Sequence, residues 1–368
     1  MPPLSVMVKP ASSSCNMRCE YCFYKDVSDE REITNFGIMK KETAERLIKT
    51  TLDFAGGYPV AFAFQGGEPL IAGLDFFKFF VNTVNKNNNK NSDIFYSVQT
   101  NGTLINDVFA KFFSENGFLV GLSLDGDEKL NKFRKLEDGS NSFDEITKAA
   151  AILKRNRTDF NILATLTGYL AENGETAYKF FRSRGFKFLQ FTPCVRPFGS
   201  AERSDKYMTA EQFGDFLIKV FNLYVKDYVR GNYISVRQFD NWVRLYLKQQ
   251  PEQCGMNGHC SHQFVAEANG NIYPCDFYCT DKYQLGDVMS SSLETMANSE
   301  KAVNFLKESL VIPDKCRKCE YYYICRAGGC KRTKASEDYC GAYKLFFSSC
   351  LPLFRVFANE KPRRQTVK

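Results

Sequence analysis

The sequence has no long apolar run and no export signal. No stretch approaches the roughly 18 uncharged apolar residues that a membrane-spanning helix requires. The first ten residues, MPPLSVMVKP, lack the charged and apolar regions of a signal peptide. We therefore expect a soluble, cytoplasmic protein with no membrane partner.

A strong excess of one charge is also missing. The 49 Lys and Arg residues outnumber the 42 Asp and Glu residues only slightly, which gives a formal charge of +7. The basic residues are scattered, except for the run KPRRQ at residues 361–365, and such terminal runs are usually solvated tails. This distribution predicts no nucleic-acid partner.

Cysteine, in contrast, is abundant, with 14 residues in a chain of 368. Disulfide-rich scaffolds are usually small secreted domains, whereas a chain of this length can bury a core without cross-links. Closely spaced cysteines in an intracellular chain more often indicate metal sites. The cysteines are therefore the first place to look for chemistry.

Strand-like and helix-like segments alternate six times between residues 4 and 193. This pattern predicts an α/β fold with parallel strands, a partial (β/α)6 barrel of the TIM type, with a doubly wound open sheet as the alternative. Cysteine-containing and polar turns follow the strands at their C-terminal ends, where barrel enzymes build active sites.

The alternation of strand-like and helix-like segments stops after residue 200, and we predict four regions in the chain. Residues 1–230 form the barrel domain, and residues 231–253 connect it to a second domain. Residues 254–350 form this second, cysteine-rich domain, and residues 351–368 are the end of a C-terminal helix and the basic tail.

The first cysteine motif consists of Cys15, Cys19 and Cys22 at spacing C-x3-C-x2-C, one ligand short of a closed zinc site. Zinc with three cysteines and a water is one interpretation. A [4Fe–4S] cluster is the other, because three thiolates leave one iron able to bind and cleave a sulfonium cofactor.

Together with Tyr21 and the turn GGEP after the second strand, this motif resembles the signature of radical S-adenosylmethionine (SAM) enzymes. The resemblance implies that the three cysteines hold a [4Fe–4S] cluster whose fourth iron binds SAM. It also implies SAM contacts by Tyr21, Gln65, Gly66, Gly67, Glu68, Ser123 and Val195. Several of these could equally be turn or packing residues.

The later cysteines resemble the SPASM extension of the same superfamily, which carries two auxiliary [4Fe–4S] clusters. The resemblance implies one cluster on Cys254, Cys260, Cys275 and Cys330, and another on Cys316, Cys319, Cys325 and Cys340. Four residues, RAGG, separate Cys325 from Cys330 where that extension usually has three, so Cys279 is an alternative to Cys330. Cys194 and Cys350 are left as buried thiols, and a zinc ribbon is the alternative for residues 316–340.

Across nearly the whole chain, the segments KPASSSCNMRCEYCFY, FAFQGGEP, QTNGTLI, GLSLDG, FKFLQF and YPCDFY resemble the anaerobic sulfatase-maturating enzymes. Those enzymes oxidise a cysteine or serine in a Cys/Ser-x-Pro-x-Arg motif of an unfolded or nascent sulfatase to Cα-formylglycine (3-oxoalanine). A 5′-deoxyadenosyl radical abstracts hydrogen from Cβ. The resemblance implies SAM, three [4Fe–4S] clusters and an electron donor such as flavodoxin or ferredoxin.

The same resemblance assigns roles to four further residues. Asp276, in YPCDFY, matches the base that takes the thiol or hydroxyl proton; as a plain turn residue it would only cap the cysteine loop. Tyr24 matches an aromatic residue near the peptide substrate. Arg237 and Asp240 match a polar pair that lines the peptide groove, or they could be packing and ion-pair residues.

Two other functions remain open from the sequence. A SPASM enzyme that forms thioether or carbon–carbon crosslinks in a ribosomal peptide often carries an N-terminal docking domain. Only 14 residues precede Cys15, so we expect no such domain here. A zinc-organised binding protein without catalysis is the third possibility.

Overall fold

A computed structural model describes residues 3–358 of the chain, and the basic tail predicted at residues 361–365 lies outside the described residues. Its strands are β1 (Leu4–Val8), β2 (Val60–Phe64), β3 (Ile94–Thr100), β4 (Phe118–Ser123), β5 (Phe160–Leu166), β6 (Phe188–Pro193), β7 (Ser235–Val236), β8 (Phe264–Ala266), β9 (Asn271–Tyr273) and β10 (Gly286–Asp287).

The helices up to residue 246 are α1 (Phe23–Asp29), α2 (Lys41–Ala55), α3 (Leu74–Asn87), α4 (Asp107–Glu115), α5 (Phe143–Arg155), α6 (Gly168–Glu172), α7 (Gly174–Ser183), α8 (Ala210–Val229) and α9 (Arg237–Tyr246). The later helices are α10 (Leu293–Ala297), α11 (Glu300–Ser309), α12 (Asp314–Arg317), α13 (Tyr322–Cys325), α14 (Lys331–Ser336), α15 (Cys340–Cys350) and α16 (Arg355–Ala358). Short 3-10 turns occur at Pro69–Ala72, Asp276–Tyr278, Asp281–Tyr283, Arg326–Gly328 and Leu351–Phe354.

Six strands alternate with helices from β1 to β6, so the predicted α/β succession is confirmed. In the segment YISVRQFDNWVRLYLKQ, the strand β7 is followed directly by α9. The chain divides into two compact units. The first contains the chain up to Leu124, Asn131–Ile162 and Ser261–Glu308; the second contains Asp125–Leu130, Leu163–Cys260 and the chain from Ser309 onward.

The sheet of the first unit has the strand order β10-β9-β8-β1-β2-β3-β4. The pairs β1–β2, β2–β3, β3–β4 and β1–β8 are parallel, whereas β8–β9 and β9–β10 are antiparallel. Because β1 to β4 are parallel neighbours, the turns that follow them emerge at one edge of this sheet.

Aromatic side chains fill the core of the first unit. The alternating pattern of β2, VAFAF, buries Phe62 and Phe64, and the Phe64 ring lies 4.9 Å from that of Phe80 on α3. On β4, the Phe118 ring stacks against Tyr96 at 4.9 Å and contacts Phe113 at 4.9 Å. The high phenylalanine content therefore serves packing, since such rings bury large apolar areas.

The second unit is built around the long helix α8. Thr209 and Gln212 form a capping box that starts this helix. The α8 residue Phe221 contacts Phe346 on α15, with ring centroids 5.3 Å apart. Strands β6 and β7 pair in parallel in the same unit. The boundaries predicted at residues 230 and 254 do not coincide with the edges of the two units, because Ser261–Glu308 belongs to the first unit.

Candidate active site and cysteine clusters

The three-cysteine loop follows β1 and ends at α1. Cys22 is the residue that precedes the helix, and its amide donates to the Cys19 carbonyl at 3.3 Å. The segment between the cysteines pairs with residues 133–136: Arg18 N donates to the Lys135 carbonyl at 2.8 Å. Burial raises the pKa of the Cys22 thiol. Metal binding at these cysteines would therefore have to release protons.

The turn after β2 lies directly on the backbone of the cysteine loop. A Cβ on Gly67 would meet the Ser14 carbonyl oxygen at 2.0 Å, which no side chain tolerates. Gly67 N donates to the Ser12 carbonyl at 2.8 Å, and Glu68 N donates to that of Ser14 at 2.7 Å. Gly66 has φ +150°, and its Cβ would lie 2.9 Å from the Ser12 carbonyl oxygen. The glycines are thus required by this close approach.

Glu68 has a fully buried carboxylate with partners inside the protein. It accepts hydrogen bonds from Leu70 N at 3.0 Å, the Thr100 hydroxyl at 2.8 Å and Asn101 N at 2.8 Å. Burial raises the pKa of the Glu68 carboxyl to about 7, although these hydrogen bonds favour the ionised form. The side chain ties the turn after β2 to the end of β3. A SAM contact by this residue stays a prediction.

The other residues expected to contact SAM lie at strand ends or in turns. The Ser123 hydroxyl, at the end of β4, accepts from Gln99 Nε2 at 2.9 Å. Tyr21 is buried, with its ring 6.2 Å from that of Phe133. Val195 is a buried residue of the second unit. These three assignments stay predictions.

Asp276 is held at both carboxylate oxygens by residues of the first unit. It starts the 3-10 turn after Cys275, and its Oδ1 accepts from the ammonium of Lys9. Its Oδ2 accepts from Gln65 Nε2 at 2.8 Å. Gln65 directly precedes the glycine turn, so its side chain connects that turn to the predicted base.

Lys9 is fully buried and belongs to a cluster of charged side chains that sequence reasoning missed. Its Nζ lies 3.7 Å from the centre of the Tyr24 ring. The Tyr24 hydroxyl donates to Glu267, which also accepts from Arg31 Nη1 at 2.7 Å. Tyr24 is only 2% exposed, so its predicted contact with the peptide stays untested. One signal was available: Lys9 directly follows β1, at the edge of the sheet that carries the other site residues.

In the predicted first auxiliary set, Cys254, Cys260 and Cys330 lie in the second unit and Cys275 in the first. A Cβ on Gly255 would lie 2.8 Å from the Cys330 amide nitrogen. Burial raises the pKa of Cys260, and the nearby Cys330 thiol raises it further. The segments that carry these three cysteines therefore meet in the second unit.

The competing residue Cys279 has a different environment. It is fully buried in an apolar cluster with Tyr24, Val27, Val265 and Tyr273. Its thiol lies 3.5 Å from the Cys275 carbonyl oxygen. This packing is that of a core thiol, which favours Cys330 as the ligand. Cys194 and Cys350, the other unassigned cysteines, are also buried.

The four residues RAGG between Cys325 and Cys330 have an unusual backbone. Arg326 and Ala327 have φ values of +48° and +62°, and Gly328 and Gly329 have φ values of +80° and +87°. All four thus adopt the left-handed region, which costs a non-glycine residue roughly 1 kcal/mol. The two glycines adopt this conformation without the penalty that Arg326 and Ala327 incur.

The second predicted auxiliary set, Cys316, Cys319, Cys325 and Cys340, lines one cavity of about 260 Å³ in the second unit. Its walls include the aromatic residues Tyr321, Tyr322, Tyr339, Tyr343 and Phe347. Burial raises the pKa of the Cys325 thiol to about 12. Four thiols around one cavity form a donor set that suits a fully ligated iron–sulfur cluster.

Arg237 and Asp240 do not form a pair. Arg237 Nη1 donates to Gln190 Oε1 at 3.0 Å. Asp240 instead accepts from three hydroxyl groups, those of Tyr224 at 2.7 Å, Tyr233 at 2.7 Å and Ser235. Burial raises the pKa of Asp240, and these hydroxyls oppose the rise. The Asp240 carboxylate is thus satisfied near the start of α9, whereas Arg237 is exposed, and a role for both residues in a peptide groove stays a prediction.

Three properties hold for residues 3–358. None of the fourteen cysteines forms a disulfide. No three His, Cys, Asp or Glu side chains in this range lie close enough together to coordinate a single metal ion; a four-iron cluster places its ligands farther apart. Every helix there is too short or too polar to cross a bilayer.

Two family models match the chain. The radical SAM superfamily matches residues 10–183, and the iron–sulfur cluster-binding SPASM domain matches residues 254–320. The cysteine-type anaerobic sulfatase-maturating enzyme of Clostridium perfringens (strain 13 / Type A) is 40% identical over 369 residues, covering 98% of this chain and 99% of its own length. The cysteine-type enzyme of Clostridium novyi (strain NT) is also 40% identical, over 99% of this chain and all of its own.

Solved structures show the same relationship. Native anSMEcpe with bound AdoMet, which is SAM, superposes with a TM-score of 0.92 at 40% identity, covering 97% of this chain and all of that one. Native anSMEcpe with bound AdoMet and the Kp18Cys peptide gives a TM-score of 0.91 at 39% identity, covering 97% and 99% of the two chains. The match confirms the predicted fold class: a radical SAM domain followed by a SPASM domain.

Proposed function

The chain belongs to the anaerobic sulfatase-maturating enzymes of the radical SAM superfamily, and from that premise we propose how its residues divide the reaction. The enzyme oxidises an active-site cysteine or serine of a sulfatase to Cα-formylglycine, starting with hydrogen abstraction from Cβ. This conclusion is preferred over peptide crosslinking and over a zinc-organised binding protein because the 40% identity to maturases extends over nearly the full chain.

The substrate is a peptide, and we propose an unfolded or nascent sulfatase segment with the motif Cys-x-Pro-x-Arg. The 40% identical relatives are cysteine-type enzymes, which favours cysteine over serine as the target. Arg237 is exposed on α9 and is the candidate contact for an acidic group or a backbone carbonyl of the peptide. The contact by Tyr24 belongs to the same proposal.

We propose that the cysteines hold three [4Fe–4S] clusters. The residues that would hold them are the three cysteines of the loop after β1 and two sets of four, Cys254, Cys260, Cys275 and Cys330, and Cys316, Cys319, Cys325 and Cys340. When bound with SAM, the first cluster supplies the 5′-deoxyadenosyl radical. The number of clusters and each ligand set are part of the proposal.

The chain's own residues hold the loop, position the base and accept the proton. Gly67 and Glu68 N fix the backbone of the cysteine loop through Ser12 and Ser14. Asp276 takes the proton from the substrate thiol or hydroxyl. Each of its carboxylate oxygens can accept two hydrogen bonds and accepts one here, from Lys9 or from Gln65, so each has one acceptor position left for the proton. Proton transfer to a positioned side chain is worth roughly 10²–10⁴ in rate.

The supply of electrons and the location of the reaction complete the proposal. An auxiliary cluster held by one of the two four-cysteine sets would supply the acceptor for the second electron, since the cofactor rather than the protein carries redox chemistry. A small electron carrier such as flavodoxin or ferredoxin is the expected electron-donating partner. Fourteen cysteines without a disulfide fit the reducing cytoplasm.

One contact carries the catalytic assignment: the 2.8 Å hydrogen bond from Gln65 Nε2 to Asp276 Oδ2. It joins the proposed base to the residue that precedes the SAM-binding glycine turn. The test is anaerobic reconstitution with iron and sulfide, followed by incubation with SAM and a Cys-x-Pro-x-Arg peptide. We expect about 12 iron atoms per chain and a peptide product with an aldehyde that hydrazine reagents capture. SAM cleavage with an unchanged peptide would contradict the proposal.

A further inference from the structure

The carboxylate of Asp276 is held by two donors of different kinds. Gln65 contributes a neutral amide at 2.8 Å to Oδ2, and Lys9 contributes an ammonium to Oδ1. With both oxygens held, the carboxylate plane has one orientation. The two remaining acceptor positions, one on each oxygen, then point in fixed directions.

Lys9 is an unusual residue for this position because its side chain is fully buried. A buried ammonium is costly unless it is paired, and a buried lysine ordinarily loses its charge. Burial would lower the pKa of Lys9, but Asp276, with Cys279 and Glu267 nearby, outweighs burial and raises that pKa. Lys9 therefore stays an ammonium.

The surroundings of Lys9 make Asp276 its ion-pair partner. The nearby carboxylate of Glu267 is taken by the Tyr24 hydroxyl and by Arg31 at 2.7 Å. The Tyr24 ring covers Lys9 Nζ at 3.7 Å, a cation–π contact that stabilises the charge without offering an acceptor. The cations of two ion pairs, Lys9–Asp276 and Arg31–Glu267, thus both lie close to the ring of Tyr24.

We propose that Lys9 is a positioning residue for the reaction: it orients the carboxylate of Asp276 for proton uptake from the substrate. The inference rests on the proposed function, in which Asp276 is the base. Lys9 touches neither peptide nor SAM in this scheme and acts only through Asp276. An error of about 1 Å in the position of a reacting group costs on the order of 10²-fold in rate.

The alternative is that Lys9 only fills and stabilises the core. In that case its replacement would lower stability and cofactor loading, and its effect would be independent of Asp276. A double-mutant cycle separates the two explanations, because residues that act as a unit give non-additive effects.

The experiment uses the reconstituted enzyme and compares Lys9→Met, Asp276→Asn and the double variant. The readouts are formylglycine formed per 5′-deoxyadenosine, the KM for the peptide, iron content and thermal midpoint. Lys9→Met keeps the length of the side chain and removes the charge. The double variant removes both charges, so it remains measurable if the single variant folds poorly. Lys49→Met, which removes the exposed pair with Glu45, is the matched control and leaves all readouts unchanged.

We expect Lys9→Met to lower formylglycine per 5′-deoxyadenosine by about 10- to 100-fold, with the peptide KM little changed. In the Asp276→Asn background the same substitution adds less than about twofold, because there is no carboxylate left to orient. Multiplicative losses in the double variant, or an unchanged product ratio in Lys9→Met, would overturn the positioning role. Full product from Asp276→Asn alone would instead remove the base assignment, and the inference with it.

Discussion

The cysteine loop of the first unit and the cysteine cavity of the second unit hold thiols in opposite ways. The loop carries three cysteines within one turn, and its backbone is fixed by the glycine turn after β2. The cavity is lined by four cysteines and five aromatic side chains. In the proposed assignment, three ligands would leave one iron for SAM, whereas four would close the coordination. The ligand count is then what distinguishes the proposed radical-forming site from the proposed electron-transfer site.

The largest effect is expected from removing the loop thiols. In a variant with Cys15→Ala, Cys19→Ala and Cys22→Ala, SAM cleavage is lost entirely, since no iron with an open position remains. Iron falls from about 12 to about 8 per chain. Deoxyadenosine assayed by chromatography, beside iron analysis, checks this. Residual SAM cleavage in that variant would mean that another cluster binds SAM.

Gly67→Ala tests whether the backbone contact fixes the loop. The added Cβ would meet the Ser14 carbonyl oxygen at 2.0 Å, so the loop or the turn must move. We expect SAM cleavage to fall by about 10-fold or more. Gly341→Ala on α15 is the control, because a Cβ there meets nothing within 4 Å. Equal activity of the two variants would show that the contact has no role.

Removing a thiol from the cavity should spare SAM cleavage, which the loop variant loses, and should lower formylglycine formation. Cys316→Ala is expected to retain most 5′-deoxyadenosine formation while formylglycine falls by about 10-fold or more, because the second electron has no exit. Both products are quantified in the same incubation. If SAM cleavage falls as steeply as formylglycine, the division between the two sites is wrong.

A smaller effect is expected at the first auxiliary set, where two variants distinguish Cys330 from Cys279 as the fourth ligand. Cys330→Ser is expected to lower iron by up to about 4 atoms per chain. Cys279→Ser is expected to leave iron unchanged and to lower the thermal midpoint, because Cys279 packs in an apolar cluster. Iron loss in Cys279→Ser but not in Cys330→Ser would reverse the assignment.

The smallest effect concerns the thiols before cluster assembly. Because burial raises the pKa of Cys325 to about 12, this thiol is neutral at pH 7–8 and its thiolate fraction rises with pH. Alkylation of Cys325 in the cluster-free protein should accelerate about tenfold per pH unit between pH 8 and 11. Peptide mass spectrometry follows it. A rate that levels off before pH 11 would contradict the shift.

Much of this organisation was predictable from local sequence. The alternation of strands and helices, the three-cysteine loop after β1 and the glycine turn after β2 all depend on neighbouring residues, and the structure has them where expected. The need for Gly67 could be predicted only as a turn preference. The physical reason for this glycine is that the backbone of Ser14 lies where a side chain at position 67 would have to be. That contact joins segments more than 50 residues apart in the sequence.

The charged cluster around Asp276 was not predictable for the same reason. Lys9 and Asp276 are separated by 267 residues, and Tyr24 and Glu267 by 243. No spacing rule connects such residues, because they meet only when β8 pairs with β1. The surroundings of Asp240 were not predictable either: three hydroxyl groups, from Tyr224, Tyr233 and Ser235, satisfy its carboxylate.

One measurement tests the central claim most directly: the fate of deuterium placed on Cβ of the target cysteine in a Cys-x-Pro-x-Arg peptide. After anaerobic incubation of the reconstituted enzyme with SAM, one deuterium should appear in 5′-deoxyadenosine while the peptide gains an aldehyde. Deoxyadenosine without deuterium, or a deuterated peptide recovered unchanged, would contradict hydrogen abstraction from Cβ and the account built on it.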